Sequence, residues 1–206
     1  MKKIFLIGGG EITKKETLRV DLDIIREGGG KKSRILFFPT AASDSDNYIR
    51  NFVDYFLSLG CGNILWAKLT QEPIKDINEK INWATAIYLG GGSTKNLINL
   101  FEKKGVVKPL KESLTRGVVL AGMSAGATAM GDVAIASEIE EDLEFSKGFE
   151  IIPEVICLAH YEPKYKDKLS QIKANFPQKT IFGIPEKSAV YYKKGEIEFY
   201  NKCFKL

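Results

Sequence analysis

The chain has 206 residues, of which 44% are hydrophobic and 27% charged, proportions of a folded globular protein that exclude a disordered one. Its 30 basic and 26 acidic residues leave a net charge of +4, and the cations are interspersed rather than gathered in a block, so no nucleic-acid partner is expected. Cys61, Cys157 and Cys203 are odd in number and widely spaced, which speaks against a disulfide framework or a zinc site. No apolar run approaches the ~20 residues of a membrane span. The stretch Ile4–Ile7 after Met1-Lys2-Lys3 is too short for a secretion signal. These observations predict a cytoplasmic protein with no membrane partner and one domain over residues 1–206.

In chain order, short apolar β-rich runs alternate with segments of helical period, the pattern of an α/β protein whose mostly parallel sheet carries helices on both faces. Strands are predicted at Ile4–Ile7, Ile35–Phe38, Ile64–Ala67, Ala86–Leu89, Val118–Ala121, Val155–Leu158 and Thr180–Ile184. Helices are predicted over 47–59, where Ile49, Phe52, Val53, Phe56 and Leu57 share a face, over 94–103 with Leu97, Ile98 and Phe101, and over 165–175. Ala189–Tyr192 and Ile197–Tyr200, separated by Lys194-Gly195, read as a C-terminal β-hairpin. The polar stretch Glu138 to Lys147 reads as a mobile loop or an irregular insertion. Three glycine clusters, Gly8–Gly10, Gly90–Gly92 and Gly122-Met123-Ser124-Ala125-Gly126, fall at strand ends, where open α/β sheets collect their ligands. Gly28–Gly30 follows a helix and reads as its C-terminal cap and turn.

Gly122 to Gly126 is a G-x-S-x-G motif directly after an apolar run and before the helix-compatible Ala127, Ala129 and Met130, the setting of a nucleophile elbow. The glycines leave room for a sharp turn that presents the Ser124 hydroxyl, with a helix N-terminus beneath it to stabilise developing negative charge. A serine needs a base to become a nucleophile. The chain holds one histidine, His160, placed just past the strand Val155–Leu158 and so expected at the same sheet edge as Ser124. A carboxylate should orient the imidazole; Glu186, Glu162, Asp132 and Glu138 are candidates, with Glu186 at a strand end favoured. Ala125 N–H is the natural first oxyanion donor, and the Gly90–Gly92 turn can offer a second.

With these motifs in hand, the chain resembles the serine peptidase family of dipeptidase E (aspartyl dipeptidase) and its cyanophycinase-like relatives. The resemblance rests on Leu89-Gly90-Gly91-Gly92-Ser93-Thr94, on Gly122-Met123-Ser124-Ala125-Gly126-Ala127, on His160 and on Ile184-Pro185-Glu186. It implies a fold like that of class I glutamine amidotransferases, a triad of Ser124, His160 and Glu186, and oxyanion donors at Gly92 and Ala125. It also implies a serine exopeptidase that hydrolyses short peptides through an acyl-enzyme, with no metal or organic cofactor, as a monomer or homodimer. Gly91, Lys164 and Glu138 are substrate-binding candidates. Two departures bear on specificity. Aspartyl dipeptidases carry an arginine after the histidine, whereas this chain has none beyond Arg116 and offers Lys164, Lys166 and Lys168 instead. The aspartate some relatives carry after the nucleophile helix is also unmatched, and Ser137, Glu138 and Glu140 stand there.

Three other readings compete with the peptidase. Gly8–Gly10 and Gly90–Gly92 together suit a non-catalytic module that holds a nucleotide or other anion. Cys157 suits a cysteine enzyme, although it lacks an elbow and its strand position points it away from His160. The acidic residues Glu138, Glu140, Glu141, Asp142 and Glu144 suggest a cation, but without the ligand spacing of a standard site.

Overall fold

A computed structural model describes residues 2–137, 139–193 and 195–206. Its strands, in chain order, are β1 (Lys3–Ile7), β2 (Arg34–Phe38), β3 (Asn63–Trp66), β4 (Ala86–Leu89), β5 (Val119–Met123), β6 (Val133–Ile135), β7 (Phe145–Lys147), β8 (Val155–Ala159), β9 (Thr180–Ile184), β10 (Ala189–Lys193), β11 (Glu196–Tyr200) and β12 (Phe204–Lys205). Its helices are α1 (Leu18–Glu27), α2 (Asp46–Ser58), α3 (Ile74–Trp83), α4 (Thr94–Lys103), α5 (Val107–Thr115), α6 (Ala125–Thr128) and α7 (Lys166–Asn175). None of them is long and apolar enough to cross a membrane.

Seven strands form the main sheet in the order β11-β10-β1-β5-β4-β2-β3. The five from β1 to β3 run parallel, and the predicted hairpin β10–β11 is added antiparallel at the β1 side. Successive residues of a strand point to opposite faces, and both faces here are apolar. Ile4, Leu6, Leu36, Phe38, Ile87 and Leu89 pack against α3, α4 and α5 on one side. Phe5, Ile7, Ile35, Phe37 and Tyr88 pack against α1 and α2 on the other. Sheets covered on both faces read as continuous hydrophobic runs, which is why these strands stand out in the sequence. Helix starts are equally local: Ser45 and Ser93 cap α2 and α4 by accepting from Tyr48 N–H and Asn96 N–H.

The predicted strands at 155–158 and 180–184 exist, but they do not join the main sheet. β8 and β9 pair in parallel with each other, and β12 adds to β9, making a second, three-stranded sheet backed by α7. His160 therefore does not share a sheet edge with Ser124, and the expectation that it would is corrected. The two sheets are stitched at the end of β1: Gly8 O accepts from His160 N–H at 3.0 Å, and Gly9 O accepts from Lys187 N–H at 3.0 Å. The polar stretch expected as a mobile loop or irregular insertion is paired in part. Its end forms β7, which pairs with β6 and lays Phe145 edge-on against Phe176 with ring centres 5.0 Å apart. Glu138 itself lies outside the described residues.

Candidate active site

β5 ends at Met123, and α6 begins at Ala125, so Ser124 alone makes the turn, at φ 52° and ψ −113°. The glycines of the motif permit the tightness. A Cβ on Gly122 would lie 2.5 Å from the Gly126 backbone, and one on Gly126 would lie 2.3 Å from Leu89 O. Ser124 N–H is held by Ile7 O at 2.9 Å, and Ser124 O accepts from Thr128 N–H as the helix starts. The hydroxyl is thus carried on a fixed corner at the carboxyl end of the parallel strands.

His160 follows β8 with φ 53°, a left-handed conformation held by its bond to Gly8 O. Its Nε2 stands 2.7 Å from Ser124 Oγ, and its Nδ1 is hydrogen-bonded to Glu186 Oε1. Glu186 sits in the loop after β9, and Gly9 is what lets it approach: a Cβ there would fall 2.6 Å from the carboxylate oxygens. The imidazole and carboxylate side chains are 42% and 50% exposed, so their attraction is screened and their bond chiefly orients the ring. One hydroxyl, one imidazole and one carboxylate form a continuous chain across two sheets.

Of the other carboxylates considered, Glu162 pairs with Lys164 at 2.9 Å and Asp132 pairs with Lys179, so neither meets the ring. Cys157 is buried in β8, and burial pushes its thiol pKa up, leaving it protonated and a poor nucleophile. Among the described residues no three His, Cys, Asp or Glu side chains cluster as a metal site. The Gly8 and Gly9 carbonyls accept from the His160 and Lys187 amides and so orient the site, while Gly8 N–H donates to Ser188 O at 3.0 Å and the Glu186 carboxylate lies against Gly9, a poor setting for an anion.

Two N–H groups near the hydroxyl have no acceptor among the described residues. Ala125 opens α6 and so has no intrahelical partner. Gly92 N–H has no acceptor among the described residues. Both residues, with Ser124 and His160, line a cavity of about 40 Å³ whose walls include Thr94, Thr128, Ile135 and Cys157. Beyond the imidazole, a cleft of about 890 Å³ opens over His160, Glu186, Tyr161, Glu140, Lys202 and Phe204. Lys164 lines neither space, pairing with Glu162 and lying 4.8 Å from the centre of the Tyr165 ring. Glu140 accepts from Tyr165 Oη at 2.8 Å, which lowers its pKa. Gly91 lies beside Ser124, but its N–H is taken by Tyr48 Oη at 3.1 Å. Tyr48 went unnoticed in the sequence, where a tyrosine in the first turn of an amphipathic helix carries no signal.

The sequence model of peptidase family S51 matches residues 4–200, which takes in the elbow and the loops bearing His160 and Glu186. The chain belongs to peptidase family S51. Family S51 is a family of serine peptidases. Among its relatives, the uncharacterized peptidase YgaJ of Bacillus subtilis (strain 168) is 38% identical over 128 residues, 62% of this chain and 55% of YgaJ; the match therefore spans about half of that protein. A cyanophycinase of Geminocystis herdmanii (strain PCC 6308) is 26% identical over 206 residues, covering 94% of this chain and 75% of the relative. The crystal structure of a putative peptidase E from Listeria monocytogenes EGD-e superposes with a TM-score of 0.75 at 20% identity, over 97% of this chain and 98% of the other. That likeness shows that the S51 chain has the peptidase E-like α/β fold.

Proposed function

We propose that this chain is a serine exopeptidase acting on short peptides, with Ser124 as nucleophile, His160 as general base and acid, and Glu186 as the group that orients the imidazole. The observation that carries the reading is the unbroken hydrogen-bonded chain from Ser124 Oγ through the ring to Glu186, beside two N–H groups with no acceptor among the described residues. Ser124 Oγ attacks the scissile carbonyl carbon while His160 Nε2 takes the hydroxyl proton. Glu186 accepts from Nδ1–H, which fixes the tautomer and stabilises the imidazolium. Gly92 and Ala125 N–H hold the tetrahedral oxyanion. The intermediate collapses as Nε2 passes its proton to the leaving amine, and the C–N bond breaks. A water deprotonated by the same nitrogen then attacks the acyl-enzyme and releases the acid.

The spaces on either side of the imidazole support an exopeptidase over an endopeptidase. The scissile carbonyl belongs with the oxyanion donors, on the side of the narrow cavity of about 40 Å³, where there is little space for a longer chain. The leaving amine belongs on the side of the proton donor, where the cleft of about 890 Å³ begins. Anion binding at Gly8–Gly10 is disfavoured, since Gly8 N–H already donates to Ser188 O at 3.0 Å and the Glu186 carboxylate lies against Gly9. Replacing Ser124 by alanine should lower hydrolysis of a dipeptide panel by about 10⁴-fold or more and abolish labelling by a fluorophosphonate, with the melting temperature preserved. Full activity in S124A would dismiss the reading.

A further inference from the structure

We propose that Tyr48 is a positioning residue for the oxyanion hole, its hydroxyl aiming Gly92 N–H by anchoring the peptide before it; the inference rests on the function proposed above. A triple glycine loop has peptide planes that rotate easily, yet an oxyanion donor is useful only when its direction is set before the charge develops. The N–H groups from Gly90 to Ser93 account for how this is achieved. Gly90 N–H continues the sheet ladder to Phe38 O at 2.9 Å. Gly91 N–H donates to Tyr48 Oη at 3.1 Å. Ser93 N–H donates to Ala41 O at 2.9 Å. The Gly92 N–H, on the plane between two tethered planes, has no acceptor among the described residues, and Gly92 lines one cavity with Ser124. A Cβ on Gly91 would lie 3.3 Å from Ser124 Cβ, so the loop and the nucleophile are in direct apposition.

Of these anchors, the phenol alone comes from a side chain, and it is rigidly mounted. Tyr48 sits in the first turn of α2, its own N–H capped by Ser45 Oγ. Its ring meets Phe37 edge-on with centres 5.0 Å apart at 82°. The same ring backs Gly90, where a Cβ would lie 2.9 Å from Tyr48 Cε1. Tyr48 lies outside both spaces flanking the imidazole, so its effect on catalysis passes through the loop.

Tyr48→Phe keeps the ring and removes the anchor. Loss of a whole oxyanion donor lowers kcat by about 10²–10³-fold, so a misaligned one should lower it by roughly tenfold. KM should move by less than about twofold, because a ground-state carbonyl leans little on the hole. The inhibition constant of a peptide aldehyde, which forms a tetrahedral adduct on Ser124, should rise in step with the fall in kcat/KM. Inhibition by the product amino acid should stay as it was. A merely structural role would lower the melting temperature and leave these ratios alone. If Y48F folds poorly, 3-fluorotyrosine at position 48, a weaker acceptor of nearly the same shape, should lower kcat in the same direction. Unchanged kcat, or a lower kcat with an unchanged aldehyde constant, overturns the proposal. Should the wild-type chain hydrolyse no peptide, the function proposed above fails first, and the Tyr48 comparison is read from the rate of Ser124 phosphonylation. Equal rates there, or no phosphonylation at all, overturn it too.

Discussion

Ser124 holds a backbone conformation, φ 52° and ψ −113°, that residues with a Cβ rarely adopt. Such strain costs on the order of 1–3 kcal/mol, whereas glycine in place of alanine loses about 0.5–1 kcal/mol through unfolded-chain entropy. Relief of strain therefore wins. Ser124→Gly should melt above Ser124→Ala by several degrees, with both inactive, and thermal unfolding of the two proteins checks it. At this scale the sequence was informative where chemistry is written locally. The elbow is five consecutive residues, and one imidazole left no choice of base. Glu186 was less legible, since four carboxylates fitted the pattern until the resemblance to the dipeptidase E family was considered. Tyr48 was not legible at all, because its role depends on a hydrogen bond 43 positions along the chain.

Among the elements, α1 hides a group with a measurable signature. Asp21 is wholly buried on its inner face, and burial pushes its pKa up to about 7, against the opposing hydrogen bonds from Thr17 and Tyr55. Both hydroxyls donate to Oδ2, at 2.7 and 2.8 Å, while Oδ1 has no partner among the described residues, so an anion there is only half satisfied. The unfolded chain releases this proton near pH 4 and the native one near pH 7, so the contribution is full below pH 4 and is lost as pH rises through 7. Asp21→Asn, which cannot ionise, should be the more stable form at pH 8, by about 5 °C or more in melting temperature, with the gap closing at pH 4.5. Melting curves across pH test this. The elements themselves were mostly visible: β4 and β5 are apolar throughout, β1 and β2 are apolar after a basic first residue, and α4 has the predicted bounds. The reading implied α1 only through its cap at Gly28–Gly30 and did not single out α3 and α5. The sequence reading put β8 and β9 in the same sheet as β5, whereas they form a sheet of their own, because a doubly covered strand carries no mark of which neighbour it pairs with.

The whole molecule divides the proposed reaction between two sheets, with the nucleophile on one and the base and its carboxylate on the other. Among the described residues the acyl-side cavity is lined by no arginine, and its walls include the uncharged Thr94, Thr128, Ile135 and Cys157. Dipeptides with a small neutral N-terminal residue, such as Ala-X, should be cleaved with higher kcat/KM than Asp-X, and a hydrolysis panel decides the order. The junction itself carries a further implication. Hydroxyl and ring stand 2.7 Å apart, so a slip of about 1 Å between the layers parts the reacting atoms, although every ladder within each layer survives. Partial denaturation should therefore silence the protein early. In a urea titration, peptide hydrolysis is expected to disappear at a lower concentration than far-ultraviolet ellipticity, and coincident curves would mean that the two layers melt as one.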